Sequence, residues 1–183
     1  MPLLPTCYSP AKINLFLYVL AKLSDNYHEL FSTMLPLKLS DTLEIEATHS
    51  DKPCIQLILN KFDSTVSTDF LSVDKTNLIC RAYDAFYKNT PQLVPFALKI
   101  TLTKHIPLQA GLGGGSSNAA SILNTLNHLH NDVLSSSQLI SIATTLGADV
   151  PFFIDTKPAL ATGIGEKLTP LELDFKLGSI VLI

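Results

Sequence analysis

The sequence predicts a two-layer α+β domain in which helices pack on a mixed sheet. Short runs of apolar and aromatic residues dominate the first third of the chain and indicate strands. Apolar residues recur every three to four positions in the later segments and indicate helices, with one alternating strand between them. Strands followed by helices, with some mixing, are typical of this class, and 183 residues suffice for one large domain.

The first half of the chain contains the predicted strands. Residues 12–20 and 30–37 are apolar runs short enough for strands. In 43–47, Leu and Ile alternate with Glu, as in a half-buried strand, and we expect 54–59 to pair with it. The polar stretch 60–74 is predicted to be a loop.

A helix and a strand follow. Residues 77–88 place their apolar side chains on one helical face, with Thr76 or Asp74 as the expected N-cap. Residues 96–103 alternate strictly between apolar and polar side chains, which predicts a strand with one buried face.

Two more helices are predicted in the second half. One runs from Asn118, with Ser116 or Ser117 placed to cap it, and the next covers about 137–146 and ends at Gly147. Two further strands are predicted near the end of the chain, at 150–154 and 178–183.

Composition excludes several classes of protein. The net charge is −3 with no basic block, so nucleic-acid binding is not expected. No apolar run reaches the roughly 18 residues of a membrane span, and the first residues match no secretory signal or transit peptide. The three cysteines match no zinc spacing, so a cytoplasmic location with reduced thiols is expected.

The most informative motif is Pro107–Ala120, which reads P-L-Q-A-G-L-G-G-G-S-S-N-A-A and joins the alternating strand to the next helix. Four glycines in five residues let backbone N–H groups converge on one point, and the following helix directs its free N–H groups there. Ser116 and Ser117 add hydroxyl groups. The motif therefore predicts a phosphate-sized anion site, although it matches neither a Walker loop nor a dinucleotide-binding loop.

This motif resembles the phosphate-binding loop of the GHMP kinases, which phosphorylate small alcohols. Other blocks resemble the branch of that family that acts on a cytidine diphosphate-linked methylerythritol. They are P-A-K-I-N-L (10–15), D-N-Y-H-E-L (25–30), D-T-L (41–43), N-L (77–78) with R-A (81–82), L-G-A-D-V-P (146–151) and G-I-G-E (163–166).

The resemblance implies ATP as phosphoryl donor, Mg²⁺ as its accompanying ion, and a ribosomal-protein-like fold of the GHMP N-terminal domain. Residues 1–183 would form that ATP-binding and catalytic domain, with the family's C-terminal domain absent from this chain. The implied ATP-binding residues are Pro107, Leu108, Gln109, Ala110, Gly111, Leu112, Gly113, Gly114, Gly115, Ser116 and Ser117. Ser116 or Ser117 could reach the metal ion, whose ligands the resemblance does not fix.

The resemblance also implies roles for five residues outside the loop. Asp149 would be the general base facing the 2-hydroxyl of the substrate, and Lys12 would lie beside it and stabilise developing negative charge. Asn14, two residues on along the strand, would face the substrate with Lys12. Tyr27 and His28 would recognise the cytidine by stacking and hydrogen bonding.

Two other functions remain open at this stage. The chain could be another small-alcohol GHMP kinase, of the mevalonate or homoserine type, although the Y-H-E-L block argues against it. It could instead be a non-catalytic nucleotide-binding module that uses only the glycine loop. That hypothesis leaves the blocks around Lys12 and Asp149 unexplained.

Overall fold

The computed structural model describes residues 3–22 and 28–172. Within these residues, six strands form one sheet and four helices pack with it, which confirms the predicted α+β class. The elements are β1 (Cys7–Lys22), β2 (His28–His49), β3 (Cys54–Leu59), α1 (Leu78–Asn89), β4 (Phe96–Thr103), α2 (Gly114–Leu129), α3 (Ser136–Leu146), α4 (Phe152–Asp155), β5 (Ala159–Thr162) and β6 (Lys167–Pro170).

Strand β2 organises the sheet, whose order is β3-β4-β2-β5-β6, with β1 also paired to β2. The two apolar runs 30–37 and 43–47 are parts of this one strand of 22 residues. Its beginning pairs with β1 and β5, and its end pairs with β4, all antiparallel. At Thr42 and Leu43, β2 therefore lies between the start of β1 on one side and the end of β4, which leads into the glycine loop, on the other.

The predicted pairing of 54–59 with 43–47 is wrong. The partner of 43–47 is β4, with Ile45 opposite Ile100, and β3 lies on the other side of β4 in a parallel arrangement. Helix α1 lies between β3 and β4 in sequence and returns the chain to the same end of the sheet. Such a helical crossover produces parallel neighbours, whereas adjacency in sequence alone suggested a hairpin.

The core lies between the sheet and the helices. The predicted alternation of β4 is confirmed, since Leu98, Ile100 and Leu102 are buried. They belong to the same apolar cluster as Phe86 of α1 and Leu123 of α2.

The helix starts differ from their predictions. Asn77, rather than Thr76 or Asp74, caps α1 by accepting from the Ile79 N–H at 2.9 Å. Helix α2 begins at Gly114, four residues before the predicted start, so Ser116 and Ser117 lie inside the helix and do not cap it.

Helix α3 begins with Ser135 as N-cap in a capping box with Gln138, and it ends before Gly147 as predicted.

The predicted strand at 150–154 is wrong, because this segment forms the short helix α4. A short apolar run does not distinguish a buried strand from a buried helix turn. Pro151 precedes the helix with φ −55° and ψ −37°, a conformation already suited to a helix start. Strands β5 and β6 were not predicted, and the strand expected at 178–183 lies outside the described residues. Within the described part of the chain, no helix combines the length and apolar character of a membrane-crossing segment.

Candidate active site

The glycine loop connects β4 to α2 and depends on two left-handed glycines. Gly111 and Gly113 have φ of +72° and +71°, a region that side chains strongly disfavour. Gly113 is also the N-cap position of α2 and offers no side chain, so the first N–H groups of the helix are not satisfied by a capping side chain. These N–H groups, with the positive end of the helix dipole, form an anion-binding point.

The loop is fixed against β1 at the residue that carries the expected catalytic ammonium. The backbone N–H of Lys12 donates to the Leu112 carbonyl at 2.9 Å. A Cβ at Gly113 would lie 2.8 Å from the ring of Phe153 and 3.1 Å from Cγ of Lys12. Gly113 is therefore required by close packing as well as by its positive φ. The phosphate loop and the Lys12 side chain are direct neighbours.

A cavity of about 930 Å³ opens along the loop. Ten of the eleven predicted ATP-binding residues, Pro107 to Ser116, line it, as far as the described residues show. Ser117 does not: it is fully buried in α2, and its hydroxyl has no hydrogen-bond partner among the described residues. Ser116 therefore lines the cavity and Ser117 does not, although the sequence motif predicted the same role for both.

The rest of the cavity wall was missed by sequence reasoning. It comes from the segment predicted only as a polar loop, through Val66, Phe70 and Leu71, and from Leu78 and Lys104. Phe70 is 95% exposed, an unusual state for a large aromatic ring. The available signal was the presence of apolar residues in an otherwise polar stretch. A smaller cavity of about 230 Å³ adjoins this wall.

Lys12, Asn14 and Asp149 come together beside the loop. Lys12 Nζ lies 3.3 Å from Asp149 Oδ2 and donates to Asn14 Oδ1 at 2.6 Å. Lys12 is 5% exposed, whereas about one third of the Asp149 side chain is exposed. The carboxylate is therefore open to a ligand, while the ammonium is held in a fixed position.

Asn14 is itself held by a chain of hydrogen bonds across the β1–β2 hairpin. Its Nδ2 donates to Ser32 Oγ at 2.6 Å, and Ser32 Oγ donates to the Phe16 carbonyl at 2.6 Å. The side-chain amide can therefore present only its oxygen to Lys12. Ser32 is a positioning residue that the sequence did not single out.

His28 does not contact this group. It is the exposed first residue of β2 and pairs with Lys22, whereas Lys12 pairs with Pro36. Eight residues of strand separate the two positions, at most roughly 26 Å at about 3.3 Å per residue. Only an elongated ligand could touch both. The Leu30 N–H donates to the Gly163 carbonyl at 2.7 Å and anchors this end of β2. Tyr27 lies outside the described residues.

The chain is similar to known kinases. The family model for the GHMP kinases N terminal domain matches residues 77–157, which include the glycine loop and Asp149. Two curated relatives are named 4-diphosphocytidyl-2-C-methyl-D-erythritol kinase. That of Haemophilus ducreyi is 42% identical over 168 residues, which cover 92% of this chain and 56% of the relative. That of Citrifermentans bemidjiense is 44% identical over 164 residues, covering 90% and 55%.

Solved structures agree on the fold. A crystal structure of 4-(cytidine 5'-diphospho)-2C-methyl-D-erythritol kinase is 38% identical with a TM-score of 0.72, and the match covers 92% of this chain and 55% of that one. The mevalonate kinase of Methanococcus jannaschii has a TM-score of 0.64 at 15% identity, over 92% and 56% of the two chains, and shows the fold alone. The chain spans about half the length of the curated relatives it matches.

Proposed function

We propose that this chain is a GHMP kinase domain that transfers the γ-phosphoryl group of ATP to the 2-hydroxyl of 4-diphosphocytidyl-2-C-methyl-D-erythritol. The observation that carries this proposal is the Lys12–Asp149 pair, which lies directly beside the glycine loop. Relatives that are 42% and 44% identical and bear that enzyme's name support the choice of substrate.

The phosphate half of the reaction uses the backbone of the loop. The N–H groups at the start of α2, exposed because Gly113 offers no capping side chain, would hold the phosphate oxygens of ATP in the cavity. Phosphoryl transfer depends mainly on alignment and on neutralising charge, and both are supplied by a rigid loop that contacts Lys12.

The hydroxyl half of the reaction uses Asp149 and Lys12. The exposed part of the Asp149 carboxylate would accept the proton of the substrate hydroxyl as the oxygen attacks phosphorus. Lys12 would stabilise negative charge on that oxygen and on the transferred group. Asn14 and Ser32 keep the ammonium aimed at this point, because the hydrogen-bond chain leaves it little freedom.

The long distance along β2 between His28 and the group around Lys12 fits a substrate with a nucleotide at one end and an alcohol at the other. We assign His28, with Tyr27 beside it in sequence, to the cytosine end, and Asn14 with Asp149 to the alcohol end. A short substrate such as mevalonate would leave His28 without a role.

Mg²⁺ fits the Ser116 hydroxyl at the start of α2. Ser116 lines the cavity, whereas Ser117 is buried in α2 and does not. A hydroxyl oxygen with phosphate oxygens suits this hard cation, which commonly binds through few protein ligands. Ser116 would hold the ion, and the ion would neutralise phosphate charge.

We also propose that residues 1–183 are the N-terminal domain of a two-domain kinase. Supporting this, the outer part of β1 carries a row of apolar side chains that are half exposed or more: Leu15, Leu17, Tyr18, Val19 and Leu20. Large apolar side chains exposed together on one strand are typical of a surface that contacts another part of a protein.

Ligand-dependent thermal stability tests the function. ATP and CDP should each raise Tm, because each binds the folded state, and mevalonate should not. A response to ATP and mevalonate without CDP would favour a mevalonate-type kinase. A response to ATP alone would favour a non-catalytic nucleotide-binding module. No response to ATP would overturn the proposal.

A further inference from the structure

A buried carboxylate lies beneath the glycine loop. Asp41 of β2 is fully buried and accepts four hydrogen bonds. Its Oδ1 accepts from the backbone N–H groups of His105 and Ile106 at 2.8 and 2.9 Å. Its Oδ2 accepts from the Lys104 ammonium and, at 3.1 Å, from the Asn118 side-chain amide. A charge in so dry a place is stable only when it is fully paired, as it is here.

The four donors come from both flanks of the loop. Lys104, His105 and Ile106 directly follow β4 and precede Pro107, the first loop residue. Asn118 lies near the start of α2, after the last loop residue. One carboxylate therefore fixes the two stems between which the loop is closed.

The start of α2 rests on the same ion pair. A Cβ at Gly114 would lie 3.1 Å from Lys104 Nζ and 3.0 Å from Cγ2 of Ile106. The first helical residue thus contacts two of the groups that Asp41 holds. Because this packing leaves no room between Gly114 and the sheet, the start of α2 cannot move towards the sheet. The free N–H groups of its first turn therefore keep a fixed direction.

We propose that Asp41 is a positioning residue that holds the glycine loop in its phosphate-binding conformation. It lines neither of the two cavities among the described residues, so it acts through Lys104, the loop stem and Asn118. The proposal rests on the proposed function, since it assigns the loop to ATP.

The test removes the hydrogen bond that Asn118 of α2 donates to Asp41. Of the four hydrogen bonds to Asp41, its loss disturbs the fold least, because the Lys104 ion pair and both backbone N–H bonds remain. Asn118→Ala should weaken ATP binding on the order of tenfold, the range expected for a lost hydrogen bond to a charged group. It should leave CDP binding within about twofold. Hydrogen exchange at the amide of Ser117, the last loop residue, should accelerate, because this N–H forms the first hydrogen bond of α2, to the Gly113 carbonyl at 2.8 Å.

Ser121→Ala is the matched control. Ser121 is also on α2, and its hydroxyl forms a hydrogen bond with Ser9 Oγ of β1 at 2.6 Å; among the described residues no hydrogen bond joins this hydroxyl to the loop. It should lower Tm and leave ATP affinity and loop exchange unchanged. Asp41→Asn keeps an oxygen for the two backbone N–H groups but loses the charge that pairs Lys104. If it folds, its ATP affinity should fall at least as far as that of Asn118→Ala.

Equal effects of Asn118→Ala and Ser121→Ala on ATP affinity and loop exchange would overturn the proposal. Unchanged ATP affinity and unchanged exchange in Asn118→Ala would do the same. If the unaltered chain binds no ATP, the proposed function fails, and the exchange comparison still decides whether Asp41 holds the loop.

Discussion

The ammonium nitrogen of Lys12 lies 3.3 Å from a carboxylate oxygen of Asp149, although β1 carries one residue and the turn after α3 carries the other. Packing of the helices on the sheet brings the two together beside the glycine loop. A partly exposed acid next to a buried, oriented cation suits the proposed proton acceptance from an alcohol.

Replacing the proposed base should remove turnover and spare binding. Asp149→Asn keeps the size of the side chain but cannot accept the proton. Phosphoryl transfer should fall by a factor on the order of 10²–10⁴. A coupled assay of ADP release measures the rate, and calorimetry should show ATP affinity within a few-fold of the original. Near-normal turnover would exclude Asp149 as the base.

The two left-handed glycines provide a matched pair of substitutions. Gly113→Ala combines a disfavoured φ with contacts of 2.8 Å to Phe153, whereas Gly111→Ala has the same strain and no atom within 4 Å. We expect ATP affinity to fall at least tenfold in Gly113→Ala, because the clash displaces the loop or Lys12. In Gly111→Ala a lower Tm should be the main effect, from strain of about 1–2 kcal/mol. Equal ATP affinities in the two folded variants would contradict the interpretation that close packing at Gly113 holds the loop in its ATP-binding conformation.

Removing the exposed imidazole of His28 tests the cytosine end. His28→Ala should weaken CDP binding by about tenfold and leave ATP binding unchanged, because the histidine is far from the loop along β2. Glu29→Ala, at the next exposed position of the same strand, serves as control and should change neither affinity. A parallel loss of both ligands in His28→Ala would indicate damage to the fold instead.

The stability of the fold should depend on the ionisation of His130. Burial and the nearby His49 lower the pKa of His130, and its Nε2 lies 3.2 Å from the Tyr87 hydroxyl. The unfolded chain therefore binds a proton more readily than the folded one below about pH 6.5. The free energy of unfolding should decrease as pH falls from that value through the folded pKa.

Thermal melts across this pH range check the prediction. His130→Gln should flatten the pH dependence. His128→Gln should not, because the side chain of His128 is 85% exposed and its only ion-pair partner in the described chain is Asp132, at 3.7 Å. Parallel curves for the original protein and His130→Gln would show that another group causes the acid sensitivity.

Local patterns predicted much of the fold, while pairings between distant segments had to be observed. The alternation in 96–103 requires a strand with one buried face whatever its neighbours are, so that element was predictable. The partner of 54–59 depends on how the chain returns through α1, which no local pattern contains. The helix at Phe152 was misread because a four-residue apolar turn has no helical period.

The same limit applies to the site. Four glycines in five residues predict an anion site from local geometry alone, and among these four only Gly111 and Gly113 have positive φ. The nearness of Lys12 to Asp149 was expected only from family resemblance. Asp41 begins the D-T-L block that carries part of the resemblance, but its role could not be predicted, because that role comes from four donors brought together by the fold.

Product analysis by ³¹P NMR tests the central claim most directly. The protein is incubated with ATP, Mg²⁺ and 4-diphosphocytidyl-2-C-methyl-D-erythritol, with mevalonate and homoserine as competing acceptors. We predict a new phosphomonoester signal on the cytidylylated substrate, formed together with ADP, and its loss in Asp149→Asn. Phosphorylation of mevalonate or homoserine instead, or no transfer to the cytidylylated substrate by a protein that binds both nucleotides, would contradict the account.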